Sequence, residues 1–311
     1  LRPGPQVVDR SAMRLLQTAP GTVEVRFSAG LPARGRRILG RQALALLTED
    51  VPRAARALAN VGDDPDLAAH VHSVVVQHEL RAQLRENGLV AFIANDSILP
   101  RASGVDTAPL PEAVPFTSPE SLAVTLPTSA GPVVGMGVPE GITVITGGGF
   151  HGKSTVLQAL QTGHLDHIPG DGRERVVADA DTVKVRAEDG RRIEKVDVSA
   201  FLADLPGGRS TRPLSTDDAS GSTSQAAAII EALQSGARVL LMDEDTCATN
   251  LMVRDDRMRQ LIGRGEPITP LVERICALHQ DHAVSTILVI GGVGDYLSVA
   301  DTVLLMKDWQ A

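Results

Sequence analysis

The chain has 311 residues, of which 43% are hydrophobic and 22% are charged, and its formal net charge is −8. These values are typical of a globular protein and exclude a disordered, collagen-like or coiled-coil chain. Its apolar runs are too short to span a bilayer, so no membrane contact is expected, and the negative charge disfavours a protein coated with basic surface for nucleic acid.

The two cysteines, Cys247 and Cys276, have neither the spacing of a metal site nor that of a disulfide framework. This usage favours a reducing, cytoplasmic location. The first residues lack an initiator Met and the basic and apolar segments of a signal peptide, which is compatible with a fragment of a longer chain.

The first part of the chain predicts a mixed α+β region. Residues 23–28 have a strand pattern, and helices are predicted at about 41–60 and 65–87, the second with Gly88 in the C-cap position. Residues 89–93 predict a short buried strand, and the Pro-, Ser- and Thr-rich run at 100–127 predicts a surface connection. We therefore divide the chain into an N-terminal region, residues 1–114, and a second domain, residues 115–311.

The second domain alternates strands and helices after two strand-like runs at 121–126 and 132–138. This alternation predicts an α/β fold with helices on the faces of a sheet, and ligands at the carboxyl ends of the strands. Strands are predicted at 142–146, 183–187, 193–198, 238–242, 285–290 and 302–306, and helices at 154–162, 225–234 and 268–280.

A phosphate-binding motif follows the strand at 142–146. Residues 147–155 (GGGFHGKST) satisfy G-x-x-x-x-G-K-[ST] between a strand and a helix. Backbone amides and the helix N-terminus would bind phosphate, Lys153 would reach the β- and γ-phosphates, and Ser154 would ligate Mg²⁺. Phe150 and His151 lie between the glycines, where loop residues are more often packed or exposed to solvent than involved in chemistry. The candidate nucleotide-binding residues are Gly147, Gly148, Gly149, Phe150, His151, Gly152, Lys153, Ser154 and Thr155.

Two acidic residues end the apolar strand at 238–242. Asp243 is predicted to hold Mg²⁺, and Glu244 to orient or deprotonate the attacking water, because in-line hydrolysis needs a base opposite the leaving group. A glutamate beside the Mg²⁺ aspartate suits a hydrolase, whereas a small-molecule kinase must keep water out. This pair therefore disfavours a kinase.

A polar, Ser-rich segment at 214–225 precedes the predicted helix at 225–234. It carries more hydroxyl and acidic side chains than a helix cap needs, so free amides are predicted to face an anion. Since the chain already has one phosphate loop, this second anion site is expected to serve the nucleotide of another subunit.

The order of these features is that of ATP-binding cassette ATPases. More narrowly, the chain resembles the family of soluble predicted ATPases of the ABC class over nearly its whole length. The blocks that carry this resemblance lie at 147–155 (GGGFHGKST), 170–175 (GDGRER), 187–191 (AEDGR), 219–225 (ASGSTSQ), 243–250 (DEDTCATN), 266–270 (EPITP) and 294–296 (GDY), with upstream blocks at 30–36, 91–95, 99–101 and 135–137.

The resemblance implies a P-loop NTPase fold of the ATP-binding cassette type. Two such domains, as a homodimer or a paired arrangement, are expected to sandwich ATP and Mg²⁺ without transmembrane partners. Residues 147–155 would then bind phosphates, Asp243 would support Mg²⁺, and Glu244 would be the catalytic carboxylate. The residues that match the helix capping the partner's γ-phosphate are Ser220, Gly221, Ser222 and Gln225.

Two features of ABC proteins are missing. No Gln occurs between Thr162 and Ser224, so Glu188 or Asp189 is the candidate for the Mg²⁺-contacting position. The switch histidine expected after the strand at 285–290 is replaced by Gly291-Gly292, and Asp295 is the candidate for its function. Phe116 is a candidate for stacking on adenine, with core packing as the alternative.

A second function class stays open. A turn after the first predicted strand carries four arginines, Arg34, Arg36, Arg37 and Arg41. Such a cluster of charges is usually a solvated surface, but it could contact RNA or DNA. On this reading the protein is an ATP-gated nucleic-acid clamp whose hydrolysis is slow, as the missing Gln and His would suggest.

Overall fold

A computed structural model describes residues 4–8, 10–16, 21–59, 64–203, 210–254 and 267–311. Its helices are α1 (Gly40–Ala45), α2 (Val51–Ala59), α3 (Pro65–Ala82), α4 (Lys153–Thr162), α5 (Gly221–Gln234), α6 (Thr249–Met252) and α7 (Ile275–His282). Its strands are β1 (Gln6–Val7), β2 (Met13–Leu15), β3 (Val23–Val25), β4 (Ala33–Arg34), β5 (Arg37–Ile38), β6 (Leu89–Ala94), β7 (Ala123–Leu126), β8 (Val133–Pro139), β9 (Ile142–Gly147), β10 (Asp166–His167), β11 (Val176–Ala178), β12 (Thr182–Lys184), β13 (Arg191–Val196), β14 (Leu214–Ala219), β15 (Val239–Asp243), β16 (Ser285–Val289) and β17 (Thr302–Met306).

A five-stranded parallel sheet lies at the centre, in the order β12-β15-β16-β9-β17. This confirms the predicted α/β fold with a parallel sheet. The phosphate loop (residues 147–155) leaves the carboxyl end of β9, and Asp243 ends β15, so both motifs reach the same edge. The strand order places β15 on one side of β9 and β17 on the other.

Successive side chains along the central strands lie on opposite faces of the sheet, and each face packs in its own hydrophobic cluster. This is expected for a sheet covered on both faces. Ile142 and Val144 of β9 face the cluster that includes α5 and α7. Ile145 faces the opposite cluster, which contains Val156, Leu157 and Leu160 of α4. The phosphate loop is thereby anchored between a buried strand and a buried helix.

A four-stranded antiparallel sheet, β11-β6-β8-β7, packs on the α4 side. Gly135 lies at its centre, paired with Ala94 of β6 and Val124 of β7. A β-carbon on Gly135 would lie 2.3 Å from the backbone oxygen of Ile93 and 2.6 Å from the Ala94 α-carbon. Both are main-chain atoms of a buried strand, so they cannot move aside cheaply.

We expect Gly135→Ala to lower the free energy of unfolding by about 3 kcal/mol, because the added methyl group overpacks the sheet. Chemical denaturation measures this change. The matched control is Gly104→Ala, whose β-carbon would have no atom within 4 Å. Equal midpoints for the two variants would contradict the packing described for Gly135.

The first part of the N-terminal region, residues 21–59, buries few of its side chains. It contributes Ala43 to the buried apolar core, and several of its large apolar side chains, Phe27 and Leu44 among them, are exposed. The predicted helix at 41–60 is present as α1 and α2, joined by a π-helical turn, Leu46–Asp50. The strand predicted at 23–28 is shorter, covering Val23–Val25.

Three predicted helices have different limits. The helix predicted at 65–87 ends at Ala82, and a 3₁₀ turn, Arg85–Asn87, precedes Gly88. The helix predicted at 225–234 begins at Gly221, because the polar segment forms its first turn. The helix predicted at 268–280 begins at Ile275, since Pro270 precedes a short 3₁₀ turn, Leu271–Glu273. Of the 266–270 block, Glu266 lies outside the described residues.

No helix in the described part of the chain combines the length and apolar character needed to cross a bilayer.

Candidate functional site

The phosphate loop passes from β9 into α4, which begins at Lys153. The Lys153 ammonium donates hydrogen bonds to the backbone oxygens of Gly147 and Gly148, at 2.8 and 2.7 Å. No carboxylate pairs with it within the described residues. The cation thus lies over the loop, and a phosphate group bound there would offer it a charged acceptor in place of two neutral carbonyls.

Phe150 and His151 occupy different environments within the loop. Phe150 is 97% exposed and has a φ of 62°. The His151 ring lies against Gly148, and its Nδ1 accepts a hydrogen bond of 2.7 Å from the backbone N–H of Asp308. His151 therefore connects the phosphate loop to the turn that follows β17.

Asp243 is a buried carboxylate with few partners. It is 6% exposed, and one of its oxygens accepts a hydrogen bond from the backbone N–H of Asp245 at 3.2 Å. In the ranges that the structure covers, no Lys or Arg is paired with it. A buried carboxylate without a cation fits a metal ion, and together with the Ser154 hydroxyl it offers the oxygen ligands that Mg²⁺ prefers.

Glu244 is held by two main-chain donors. One oxygen of its carboxylate accepts hydrogen bonds from the backbone N–H groups of Gly291 and Gly292, at 2.7 and 3.1 Å. These two glycines occupy the position at which a switch histidine was expected. Backbone amides therefore fix the carboxylate that the sequence analysis assigns to water activation.

The polar segment before α5 leaves its helix start open. Ser220 is the N-cap residue, but its side chain makes no capping bond to the helix amides. Its hydroxyl instead lies 3.0 Å from that of Thr223 and 3.4 Å from that of Ser222. Ser220 is exposed and Gly221 is partly exposed, whereas Ser222 is buried. The first amides of α5 therefore have no side-chain acceptor from their N-cap residue.

Gln225 differs from the expectation that it lies at the nucleotide. It is fully buried; its oxygen accepts a 2.7 Å hydrogen bond from the Ala248 backbone N–H, and its nitrogen contacts the Met252 sulfur at 3.4 Å. One turn into the helix, its side chain points inward. It thus joins α5 to the loop after the acid pair and is not on a surface that a partner's nucleotide could reach.

The candidates for the missing ABC residues lie near this joint. Glu188 pairs with Arg186 at 2.6 Å, and the Asp189 carboxylate lies 3.1 Å from the position of a β-carbon on Gly221. The backbone N–H of Ala187 donates to the Thr246 oxygen at 3.0 Å. Asp295 is exposed in a 3₁₀ turn, and it is not among the groups that hold Glu244 in the described residues.

Two groups beside the acid pair have raised pKa values. Desolvation raises the pKa of the half-buried Cys247 thiol to about 12, which disfavours its thiolate form at neutral pH. Burial also raises the pKa of the Tyr296 hydroxyl, which donates a 2.7 Å hydrogen bond to the Met252 carbonyl. Tyr296 thereby ties the 294–296 block to α6.

The 170–175 block forms a buried ionic cluster. Burial alone would raise the pKa of the Asp171 carboxyl, but the hydrogen bond with His167 (2.6 Å) and the charge of Arg101 (2.8 Å) outweigh it and hold the pKa below its usual range. His167 is therefore a structural residue. Among the described residues there is no group of three or more His, Cys, Asp or Glu side chains placed to hold a metal ion.

For Phe116 the structure agrees with the core-packing alternative, because the residue is 2% exposed and packs in the core below α4. Two features of the site escape the sequence analysis. The amides of Gly291 and Gly292 have no side-chain signal. Trp309 lies against Gly152 of the phosphate loop, and its only sequence signal is that it is the single tryptophan of the chain.

Two protein-family models together match almost the whole chain. Residues 63–311 match the P-loop domain of the ABC ATPase family, and residues 1–61 match the N-terminal domain of ATPases of the ABC class. The two matches meet next to α3.

A curated relative and two solved structures resemble the chain. An uncharacterized protein of Methanocaldococcus jannaschii is 30% identical over 251 residues, which are 77% of this chain and 55% of that protein. The chain thus spans about half the length of the curated relative it matches. CbiO1 from Clostridium perfringens, part of an ABC transporter complex, is 13% identical over 72% of this chain and 86% of that one, with a TM-score of 0.41. An ATP-binding cassette of an ABC transporter in its ADP conformation is 13% identical over 71% and 89%, also with a TM-score of 0.41.

Proposed function

Because this chain belongs to the P-loop ATPase family of the ABC class, we propose that it binds Mg-ATP and hydrolyses it between two nucleotide-binding domains to drive a conformational change. The observation that carries the hydrolysis step is the Glu244 carboxylate, fixed by two backbone amides at the sheet edge that also bears the phosphate loop. A fixed carboxylate beside a phosphate site suits a general base.

The phosphate loop supplies the binding energy in this proposal. Its amides and the N-terminus of α4 bind the phosphate oxygens, and Lys153 exchanges the carbonyls of Gly147 and Gly148 for the β- and γ-phosphates. Ser154 and Asp243 would hold Mg²⁺, which neutralises phosphate charge when bound. The unpaired, buried state of Asp243 fits this assignment.

Hydrolysis needs a proton acceptor for the attacking water. Glu244 would take a proton as the water oxygen bonds to the γ-phosphorus, while the bond from that phosphorus to the β-γ bridging oxygen breaks. ADP leaves with the electron pair, and the products are ADP and inorganic phosphate. The amides of Gly291 and Gly292 would keep the carboxylate aligned through this step.

The open start of α5 supports the paired arrangement. Its free amides and the exposed Ser220 hydroxyl form a polar surface suited to the γ-phosphate of ATP on a second copy. Gly221 would allow close approach, and Gln225 would hold α5 against the 245–250 loop. Asp295 would take the place of the switch histidine and change the position of the Glu244 carboxylate as nucleotide binds.

The two free thiols support a cytoplasmic location.

Phosphate release from ATP, measured with and without Mg²⁺, tests the proposal. We expect Mg²⁺-dependent release that rises more steeply than linearly with protein concentration, because two copies share each nucleotide. Absence of Mg²⁺-dependent release from a folded, ATP-binding sample would overturn the hydrolytic function.

A nucleic-acid function has one specific observation in its favour. Arg34, Arg36, Arg37 and Arg41 are all exposed on or beside the β4-β5 hairpin, and within the described residues no carboxylate pairs with them. Three arginines on this hairpin and a fourth at the start of α1, without carboxylate partners in the described residues, suit contacts with RNA or DNA phosphates.

On this second reading, we expect single-stranded RNA to bind with an affinity that falls as salt rises, measured by anisotropy of a labelled homopolymer. The triple variant Arg34→Ala, Arg36→Ala, Arg37→Ala should weaken binding about tenfold or more, whereas Arg192→Ala, exposed elsewhere, should not. No binding at low salt would remove this candidate function.

A further inference from the structure

Trp309 lies directly against the phosphate loop. It is the single tryptophan of the chain and is 41% exposed. A β-carbon on Gly152 would lie 3.1 Å from Cε3 of its indole ring, so the ring covers the space that a side chain at position 152 would fill. Gly152 has a φ of 95°, which also disfavours any other residue there.

The turn that carries Trp309 is fixed relative to the loop. Lys307 and Gln310 exchange two backbone hydrogen bonds of 2.9 Å, which close the turn after β17. The backbone N–H of Asp308 donates to His151 Nδ1 at 2.7 Å. The backbone on either side of Trp309 is therefore fixed by two sets of contacts: the hydrogen bonds that close its own turn and the hydrogen bond to a histidine of the phosphate loop.

The exposed part of the indole borders an apolar crevice. The crevice is lined by Pro100, Val114, Gly152, Thr155 and Trp309, with Leu99 and Phe116 deeper in. Val114 is 44% exposed at its rim. Exposed apolar side chains next to a phosphate loop are suited to the flat face of a base attached to the phosphates.

The strand order sets the direction in which a bound nucleotide points. Glu244 follows β15, and the γ-phosphate must face it for attack by water. Trp309 follows β17, on the opposite side of β9. With the γ-phosphate toward β15, the α-phosphate, ribose and base extend toward β17.

We propose that Trp309 stacks on the base of the bound nucleotide, so that the turn after β17 is the base-binding element of the site. This inference rests on the proposed function, since it needs a nucleotide in the phosphate loop. It replaces Phe116, whose ring is buried, as the stacking residue.

The single tryptophan makes the test direct, because all indole emission comes from position 309. Mg-ATP should quench this emission saturably. Mg-tripolyphosphate, which has the phosphates but no base, should bind by calorimetry and leave the emission of the intact chain nearly unchanged.

Three variants complete the experiment. Trp309→Ala should weaken ATP binding about tenfold or more while leaving tripolyphosphate affinity unchanged, and Trp309→Phe should keep most of the ATP affinity. Phe27→Ala removes an exposed aromatic ring from the N-terminal region and should change neither affinity. Tripolyphosphate binding also verifies that each variant is folded.

Two failures are distinguishable. If ATP binds with the same affinity to wild type and Trp309→Ala, and emission does not change, the stacking inference is overturned and the proposed function stands. If neither ATP nor tripolyphosphate binds to the wild-type chain, both are overturned.

Discussion

Replacing Glu244 with Gln should reduce ATP turnover by at least about 100-fold and leave ATP bound in an unhydrolysed state. Glutamine keeps the shape of the side chain and still accepts the hydrogen bonds of Gly291 and Gly292 through its amide oxygen. It cannot take a proton from water. Removing one negative charge beside the triphosphate also favours binding, so the variant should retain ATP through gel filtration, measured as nucleotide per chain.

The matched control for this variant is Asp245→Asn. Asp245 is the next residue, also acidic, and it is exposed. Its substitution removes the same charge and should leave turnover within about threefold of wild type. Wild-type hydrolysis by Glu244→Gln would show that another group activates the water, and Asp295 would be the next residue to test.

Replacing Lys153 with Ala should weaken ATP binding about 50-fold, because in our proposal the ammonium group would make charge-assisted hydrogen bonds to the β- and γ-phosphates. In the structure its partners are two carbonyls of the loop. Losing these neutral contacts should affect folding little. Calorimetric titration with Mg-ATP measures the change, and a thermal melt without nucleotide verifies the fold.

Lys195→Ala is the control for the loss of a lysine charge. Lys195 is exposed on β13 and donates its backbone N–H to Ser215, a bond that alanine keeps. We expect unchanged ATP affinity. If both lysine variants bind like wild type, the 147–155 loop does not hold the phosphates in the way that we propose.

Much of the site was accessible from the sequence because its chemistry resides in local patterns. The strand at 142–146, the 147–155 motif and the following helix are contiguous, and the structure has them as β9, the loop and α4. Asp243 ends β15 as predicted, since four apolar residues before an acid indicate a buried strand that stops at a polar edge.

The remaining features depend on contacts between distant segments. The amides that hold Glu244 belong to a loop 47 and 48 residues further along the chain and have no side-chain identity. Gln225 was assigned by its place in a motif, but the direction of its side chain depends on where α5 begins. That limit moved to Gly221 because the Ser-rich segment continues the helix. Similarly, Trp309 reaches Gly152 only because β17 pairs with β9.

The use of peptide groups to hold Glu244 also affects how this site tolerates mutation. Any side chain can be added at positions 291 and 292 without removing an N–H group, with proline as the exception. A β-carbon on Gly291 would meet no atom within 4 Å, and one on Gly292 would lie 3.6 Å from the Glu244 carboxylate. Alignment of the glutamate is therefore encoded in the path of the main chain, and single-base changes in the gene that introduce alanine or serine there would leave it intact.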